Sequence, residues 1–337
     1  MSEFRYNVPL KGMNSFGIDV TARYMLEFEG ADDLRAYFTR GDRPSEQWTV
    51  LSGGNNILFT DHYSGVLLHP VSRGIDMLGV GKDMVRVRAE AGVEWDDFVA
   101  WCVERGWGGV ENLSLIPGYV GAAPVQNIGA YGAEAKDVVE SVEAFMVDTL
   151  ETRIFTNAEC RFGYRESLFK GKLKGRAIIT AVTFALKTQP VAKLGYGDLS
   201  AEVEALGGPS LDNIRQAVIA IRHRKLPDPK VTGNAGSFFK NPVVDQTVAD
   251  ALQMEYEQMP VYPVGGGRVK LAAGWLIDRA GWRGAVRGRV GVHPRQALVL
   301  VNTGGATGDE VLALAREIQH DVQQKFRVRI EPEVNIL

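Results

Sequence analysis

Between Gly108 and Gly132 the chain passes through Ile-Pro-Gly, Gly-Ala-Ala-Pro and Gly-Ala-Tyr-Gly with neither a helical nor a strand period. That is far longer than the roughly 4 to 6 residues that usually join two elements, and structureless stretches of this length are either functional or disordered. Leu113, Leu115, Ile116, Tyr119, Val125, Ile128 and Tyr131 punctuate it, so it reads as an ordered loop packed on a core. Its flanks are regular. Val85 to Val93 alternates small apolar with charged residues, as a half-buried strand does, and Trp95 to Arg105 reads as a helix stopped by Gly106. Composition sharpens the point: glycine makes up 38 of 337 residues, above the usual ~7%, and the excess falls in a few clusters where chemistry is to be sought.

The length suggests more than one domain. Arg23 to Phe28, helix Ala31 to Arg40 and Trp48 to Leu51 read as a β-α-β unit leaving through Ser-Gly-Gly-Asn-Asn at 52 to 56. Strands are expected at Ser141 to Val147, Thr152 to Phe155 and Ala177 to Leu186, then a small-residue excursion from Gln189 to Ser200. Helices follow at Leu211 to Lys225, near Gln246 to Glu257 and near Leu271 to Arg279, with a strand at Ala297 to Asn302. Thr307 and Glu310 mark a capping box for a last helix, and Val328 to Leu337 reads as extended. Thirty-eight Lys and Arg against 41 Asp and Glu leave a net charge of -3, no field to hold a polyanion, and nucleic acid is not expected as a partner. Cys102, Cys160 and five scattered histidines form no metal-ligand spacing, so no metal is expected. No apolar run approaches the ~18 residues of a membrane span, and Met1 to Phe16 lacks a signal-peptide core; the chain is expected to be cytoplasmic.

Successive glycines let backbone N–H groups approach a phosphate. Gly53 and Gly54 fit that use, with Asn55 and Asn56 adding donors, and fit a plain turn equally well. Neither a dinucleotide-binding G-x-G-x-x-G nor a P-loop is present here. Together with the 108 to 132 loop, the turn suits the two ends of a flat cofactor with a pyrophosphate. Ser237, in Gly-Asn-Ala-Gly-Ser-Phe-Phe-Lys-Asn-Pro, either offers a hydroxyl to a ligand or closes a glycine turn. Arg165 is either a carboxylate clamp or half of a surface pair with Glu166. Glu331 and Glu333, two apart, point to one side of an extended chain. No Ser-His-Asp grouping is visible, which disfavours a hydrolase.

Taken in order, Asn14-Ser-Phe-Gly, the 52 to 58 segment, Ser114-Leu-Ile-Pro-Gly, the 121 to 132 segment, Phe162-Gly-Tyr-Arg, the 233 to 242 segment, Ala273-Gly-Trp-Leu-Ile-Asp and Glu331-Pro-Glu-Val resemble the UDP-N-acetylenolpyruvoylglucosamine reductase family. Tyr196, between two glycines, resembles the loop tyrosine of the family's longer class. The resemblance implies an α+β chain with an FAD-binding part of the vanillyl-alcohol-oxidase (PCMH) type and a C-terminal substrate-binding α+β domain. Its subdomains would be 1 to 70, with 327 to 337 returning to it, then 71 to 222 with the Tyr196 loop, and a substrate domain at 223 to 326. It also implies non-covalent FAD, NADPH as cosubstrate and a UDP-sugar substrate, in a monomer of peptidoglycan precursor synthesis.

Carried onto matching positions, Arg165 and Glu333 would stabilise the intermediate and Ser237 would supply the proton after hydride transfer from reduced FAD. Ser52, Gly53, Gly54, Asn55, Asn56, Ser114, Ile116, Pro117, Gly118, Gly121, Ala122, Gln126, Asn127 and Gly129 would contact FAD. Tyr131, Tyr196, Lys225, Asn241 and Gln296 would hold the UDP-sugar or the nicotinamide nucleotide. Ser52 and Asn55 depart from the Gly and Ser of many members, and Asn335 from a common Arg. A sugar oxidase of the same flavin fold and a non-catalytic UDP-sugar binder are the alternative readings.

Overall fold

The structure, a computed structural model, describes residues 3–337, and these gather into two compact units. The first holds the N-terminal stretch to Val8, Ala22–Gly53 and Ser64–Arg222; the second holds Pro9–Thr21, Gly54–Tyr63 and His223–Leu337.

In the first unit an antiparallel sheet runs in the order Glu151–Thr156, Val139–Met146, Ala177–Lys187, Met84–Glu90, Ile75–Val80. Val85, Val87 and Ala89 face the core with period 2. Helix α1 (Ala31–Thr39) buries Leu34 and Tyr37 beside Leu26, Phe28, Val66 and Leu68 of a second sheet, ordered Phe4–Pro9, Thr21–Phe28, Tyr63–Pro70, Trp48–Val50. Helix α2 (Trp95–Glu104) lays the stripe Trp95, Phe98, Val99 and Cys102 onto the first sheet's core. Helices α3 (Leu199–Ala205) and α4 (Leu211–Lys225) form a separate small cluster through Leu199, Val203, Ile214, Ala217, Val218 and Ile221, against which Tyr131, Ala192 and Leu194 pack. The strand Tyr63–Pro70 escapes the sequence reading because Val66, Leu67 and Leu68 are all buried; a strand covered on both faces shows no alternation.

The second unit carries α5 (Gln246–Glu255), α6 (Ala273–Arg279) and α7 (Gly308–Phe326). One three-stranded sheet orders Val243–Asp245, Arg268–Leu271, Val261–Gly265; another orders Val286–Arg287, Val290–Val292, Leu300–Asn302. The expected capping box is formed, with Thr307 Oγ1 accepting from Glu310 N–H and Glu310 accepting from Thr307 N–H. Behind it Val311, Leu314, Ile318 and Val322 make the buried stripe. The C-terminal tail ends as a short strand, Asn335–Ile336, parallel to Ile57–Leu58. Among the described residues no helix is long and apolar enough to cross a membrane.

Candidate functional site

The candidate residues divide between the units, and within the first unit a run of close packing leads from the strand ends beside Ser52 and Ser72 to the long glycine-rich loop. Trp48–Val50 and Tyr63–Pro70 run parallel, pairing Val50 with Leu68, so their C-terminal ends, leading to Ser52 and to Ser72, emerge on the same side. Both hydroxyls are buried and have no hydrogen-bond partner among the described residues, an expense that points to a polar ligand there. From Ser72 the packing continues without a gap: a Cβ on Gly92 would lie 2.5 Å from the Ser72 carbonyl oxygen, and one on Gly121 would lie 2.6 Å from Ala91 Cβ. Arg73 lies over the Tyr119 ring at 4.6 Å and closes the link to the long loop.

That loop is held by the first turn of α2. Trp95 Nε1–H donates to Leu113 O at 2.9 Å, Asp96 Oδ1 accepts Leu115 N–H at 2.5 Å, and Trp95 N–H donates to Gly118 O at 2.8 Å. From α4, Arg215 grips both Asp96 oxygens at 2.6 and 2.9 Å, and Arg222 Nε donates to Leu115 O at 3.1 Å. Burial by itself would raise the Asp96 pKa, but the Arg215 guanidinium and the Leu115 N–H together hold it below the usual aspartate range. Leu115, Asn127, Tyr131 and Arg165 all hold positive φ, at +56°, +46°, +48° and +54°. Left-handed backbone costs roughly 1–2 kcal/mol per non-glycine residue, and such strain gathers at functional sites. The loop is not structureless: Glu111–Leu113 and Val120–Ala122 are single 3-10 turns and Gly129–Ala130 pairs with Ala133–Glu134.

Some of the carried-over side chains are engaged within the chain. Ser114 Oγ donates to Glu111 O at 2.6 Å; Asn127 donates to Glu134 and to Gly163 O and accepts from Lys136 N–H. Arg165 Nη2 donates to Gly129 O at 2.9 Å, which ties its guanidinium to the end of the glycine loop. Tyr196 is 59% exposed and meets the Tyr131 ring edge-on at 5.9 Å. Asn112, which the sequence did not single out, is buried and donates at 2.8 Å both to Tyr131 O and to Lys193 O, three residues before Tyr196.

In the second unit Ser237 and Glu333, 96 positions apart (333 − 237), come together through backbone pairing. Glu333 N–H donates to Phe238 O at 2.7 Å, Lys240 N–H donates to Glu331 O at 2.9 Å, and Phe239 bridges Pro332. Ser237 is exposed at the end of its turn, after Gly236 at φ +68°. Asn56 Nδ2 donates to Glu333 O at 3.3 Å, and the backbone and side chain of Asn335 both donate to Asn56 O. Asn241 Oδ1 accepts Ala273 N–H at 2.9 Å at the start of α6, and Gln296 Oε1 lies 3.4 Å from the Cβ position of Gly274 on the same helix. Lys225 is exposed at the end of α4.

Two family descriptions match this chain: FAD binding domain over residues 22–150, and UDP-N-acetylenolpyruvoylglucosamine reductase, C-terminal domain, over 228–337. Proteins named UDP-N-acetylenolpyruvoylglucosamine reductase align along nearly all of it. That of Chromobacterium violaceum is 48% identical, covering 99% of each chain; that of Bacteroides fragilis is 47% identical, covering 96% of this chain and 97% of the other.

The chain belongs to the UDP-N-acetylenolpyruvoylglucosamine reductase family.

The family makes it an oxidoreductase and an FAD flavoprotein of peptidoglycan precursor synthesis acting on small molecules, which decides against both the sugar oxidase and the non-catalytic binder. The fold agrees. The reductase of Thermus caldophilus superposes with a TM-score of 0.70 at 23% identity over 100% of this chain and 98% of that one. A solvent-stable cholesterol oxidase reaches 0.50 at 12% identity, over 98% and 87%. The α+β architecture with a PCMH-type flavin part expected from sequence is therefore the one present. FAD suits the partnerless Ser52 and Ser72 hydroxyls, which offer donors at the strand ends beside the glycine turn. Ser72, Gly92, Asp96, Asn112 and Arg215 carried no motif in the sequence; only their neighbours in space mark them out.

Proposed function

We propose that the chain reduces the enolpyruvyl ether of UDP-N-acetylglucosamine to UDP-N-acetylmuramate with NADPH as the electron source. Bound FAD supplies a two-electron carrier between the nicotinamide and the substrate. Ser52, Gly53 and the 114 to 129 loop would hold it, their backbone N–H groups meeting its phosphates.

In the substrate half-reaction the double bond accepts a hydride at its terminal carbon, leaving an electron pair on the carbon next to the carboxylate. Arg165 offers that carboxylate a fixed guanidinium fork, with one nitrogen already anchored on Gly129 O. Ser237 Oγ–H gives its proton to the carbon, which completes the saturated product, and the serine oxygen regains a proton from solvent. Glu333, when protonated, would donate a hydrogen bond where charge develops. Tyr131, Tyr196, Lys225, Asn241 and Gln296 would hold the UDP-sugar or the nicotinamide nucleotide. The observation that carries this reading is the pairing of Phe238 with Glu333, which sets the proposed proton donor and the proposed stabilising carboxyl on neighbouring, backbone-bonded segments.

The absorbance spectrum tests it. Anaerobic NADPH should bleach the flavin band, and the enolpyruvyl substrate should restore it. A flavin that NADPH leaves oxidised would overturn the choice of reductant; one that stays bleached after substrate would overturn the substrate.

A further inference from the structure

We infer that Asp96 and Arg215 are positioning residues that hold the 114 to 118 loop in its FAD-binding shape before the cofactor arrives. The inference rests on reading that loop as a cofactor contact. The pair does not belong to the motifs that carry the family resemblance, and neither residue is assigned a role in the reaction.

Leu115 is the point of action. Its φ of +56° is one that leucine rarely adopts, and its backbone is restrained on both sides: the N–H by Asp96 Oδ1 at 2.5 Å, the carbonyl by Arg222 Nε at 3.1 Å. Asp96 alone would hold that position less firmly, because a flexible carboxylate in the first turn of a helix has several rotamers and water to choose from. The two-point grip of Arg215 at 2.6 and 2.9 Å narrows that choice. Both groups are largely covered, with side-chain exposures of 16% for Arg215 and 28% for Asp96, so salt screens the pair little. Asp212 and Glu104 also face Arg215, and Arg222 faces Asp96; the carboxylate stays ionised at neutral pH because its pKa lies below the usual range. Helix α4 thus reaches the loop at two points, through Asp96 and through Arg222.

The alternative is that the pair merely clamps α4 to α2. Arg215→Leu and Asp96→Leu break the same ion pair, but only the second strips the acceptor from Leu115 N–H. FAD release from the holoprotein, followed by the rise of free flavin fluorescence, separates the two ideas. Asp96→Leu should release FAD about 10-fold or more faster than Arg215→Leu, the scale of one hydrogen bond to a charged group. Asp96→Asn, which keeps an oxygen for Leu115, should stay within about 3-fold of Arg215→Leu. Equal release from the two leucine variants, with equal losses of melting temperature, would overturn the inference. Gly118→Ala, at φ +123°, tests the underlying reading separately: if it leaves release unchanged, the loop is not the cofactor contact. Should Asp96→Leu not fold, amide hydrogen exchange at Leu115 in the wild-type protein decides. Protection before FAD is added supports the inference; exchange that slows only with FAD overturns it.

Discussion

At Gly54 a Cβ would sit 1.9 Å from the Met13 carbonyl oxygen, and the backbone holds φ +65°. Its glycine is thus required by the chain's own packing, whatever it contributes to a ligand. Gly54→Val should lower the melting temperature by several degrees or abolish folding, so flavin loss in that variant reports on the fold; a variant that melts like wild type would show that Met13 moves aside easily. Arg165 is the better probe of ligand chemistry, because its guanidinium is anchored on a carbonyl rather than buried in a core. Arg165→Ala should raise KM for the enolpyruvyl substrate and lower kcat, together costing about 10²-fold or more in kcat/KM. Arg165→Lys should recover little, since an ammonium lacks the fork. Full recovery by lysine would reduce the role to charge alone.

At the scale of elements, what was legible in the sequence follows from periodicity. Helices α1, α2, α4 and α7 were readable because each buries one stripe and is bounded by a clear signal, such as Gly106 after α2 or the Thr307–Glu310 box at the start of α7. Tyr63–Pro70 was not, because both of its faces are covered. The 108 to 132 loop was recognisable as ordered from its apolar residues, but its anchors were not, since Asp96 looks like any acid in a helix's first turn and Asn112 like any polar loop residue. Of the proposed site, the glycines, Ser237 and Glu333 stood out by motif, whereas contacts formed by residues distant in sequence left no pattern to read. Asn112 supports one prediction. Because its amide joins Tyr131 O to Lys193 O, Asn112→Leu should loosen residues 189 to 198, speeding proteolysis there and raising KM for the UDP-sugar about 10-fold while changing kcat less. Unchanged cleavage and KM would show that the small α3–α4 cluster holds the Tyr196 segment without it.

For the whole molecule, a cofactor that binds the folded chain alone stabilises it by mass action. Free FAD at about 100 times its Kd should add roughly 2.7 kcal/mol, so adding FAD to deflavinated protein should raise the melting temperature measurably; no shift would mean that the unfolded chain binds FAD as well or that the site is not formed. Electron passage from NADPH to an enolpyruvyl ether, with Ser237 protonating the carbon, is what anaerobic stopped-flow on Ser237→Ala would test. Flavin reduction by NADPH should proceed at nearly the wild-type rate, because it needs no proton at the substrate carbon. Reoxidation of the prereduced enzyme by the enolpyruvyl substrate should fall by about 10²-fold or more, the scale of a lost general acid. Reoxidation at the wild-type rate in that variant would mean that Ser237 is not the proton donor.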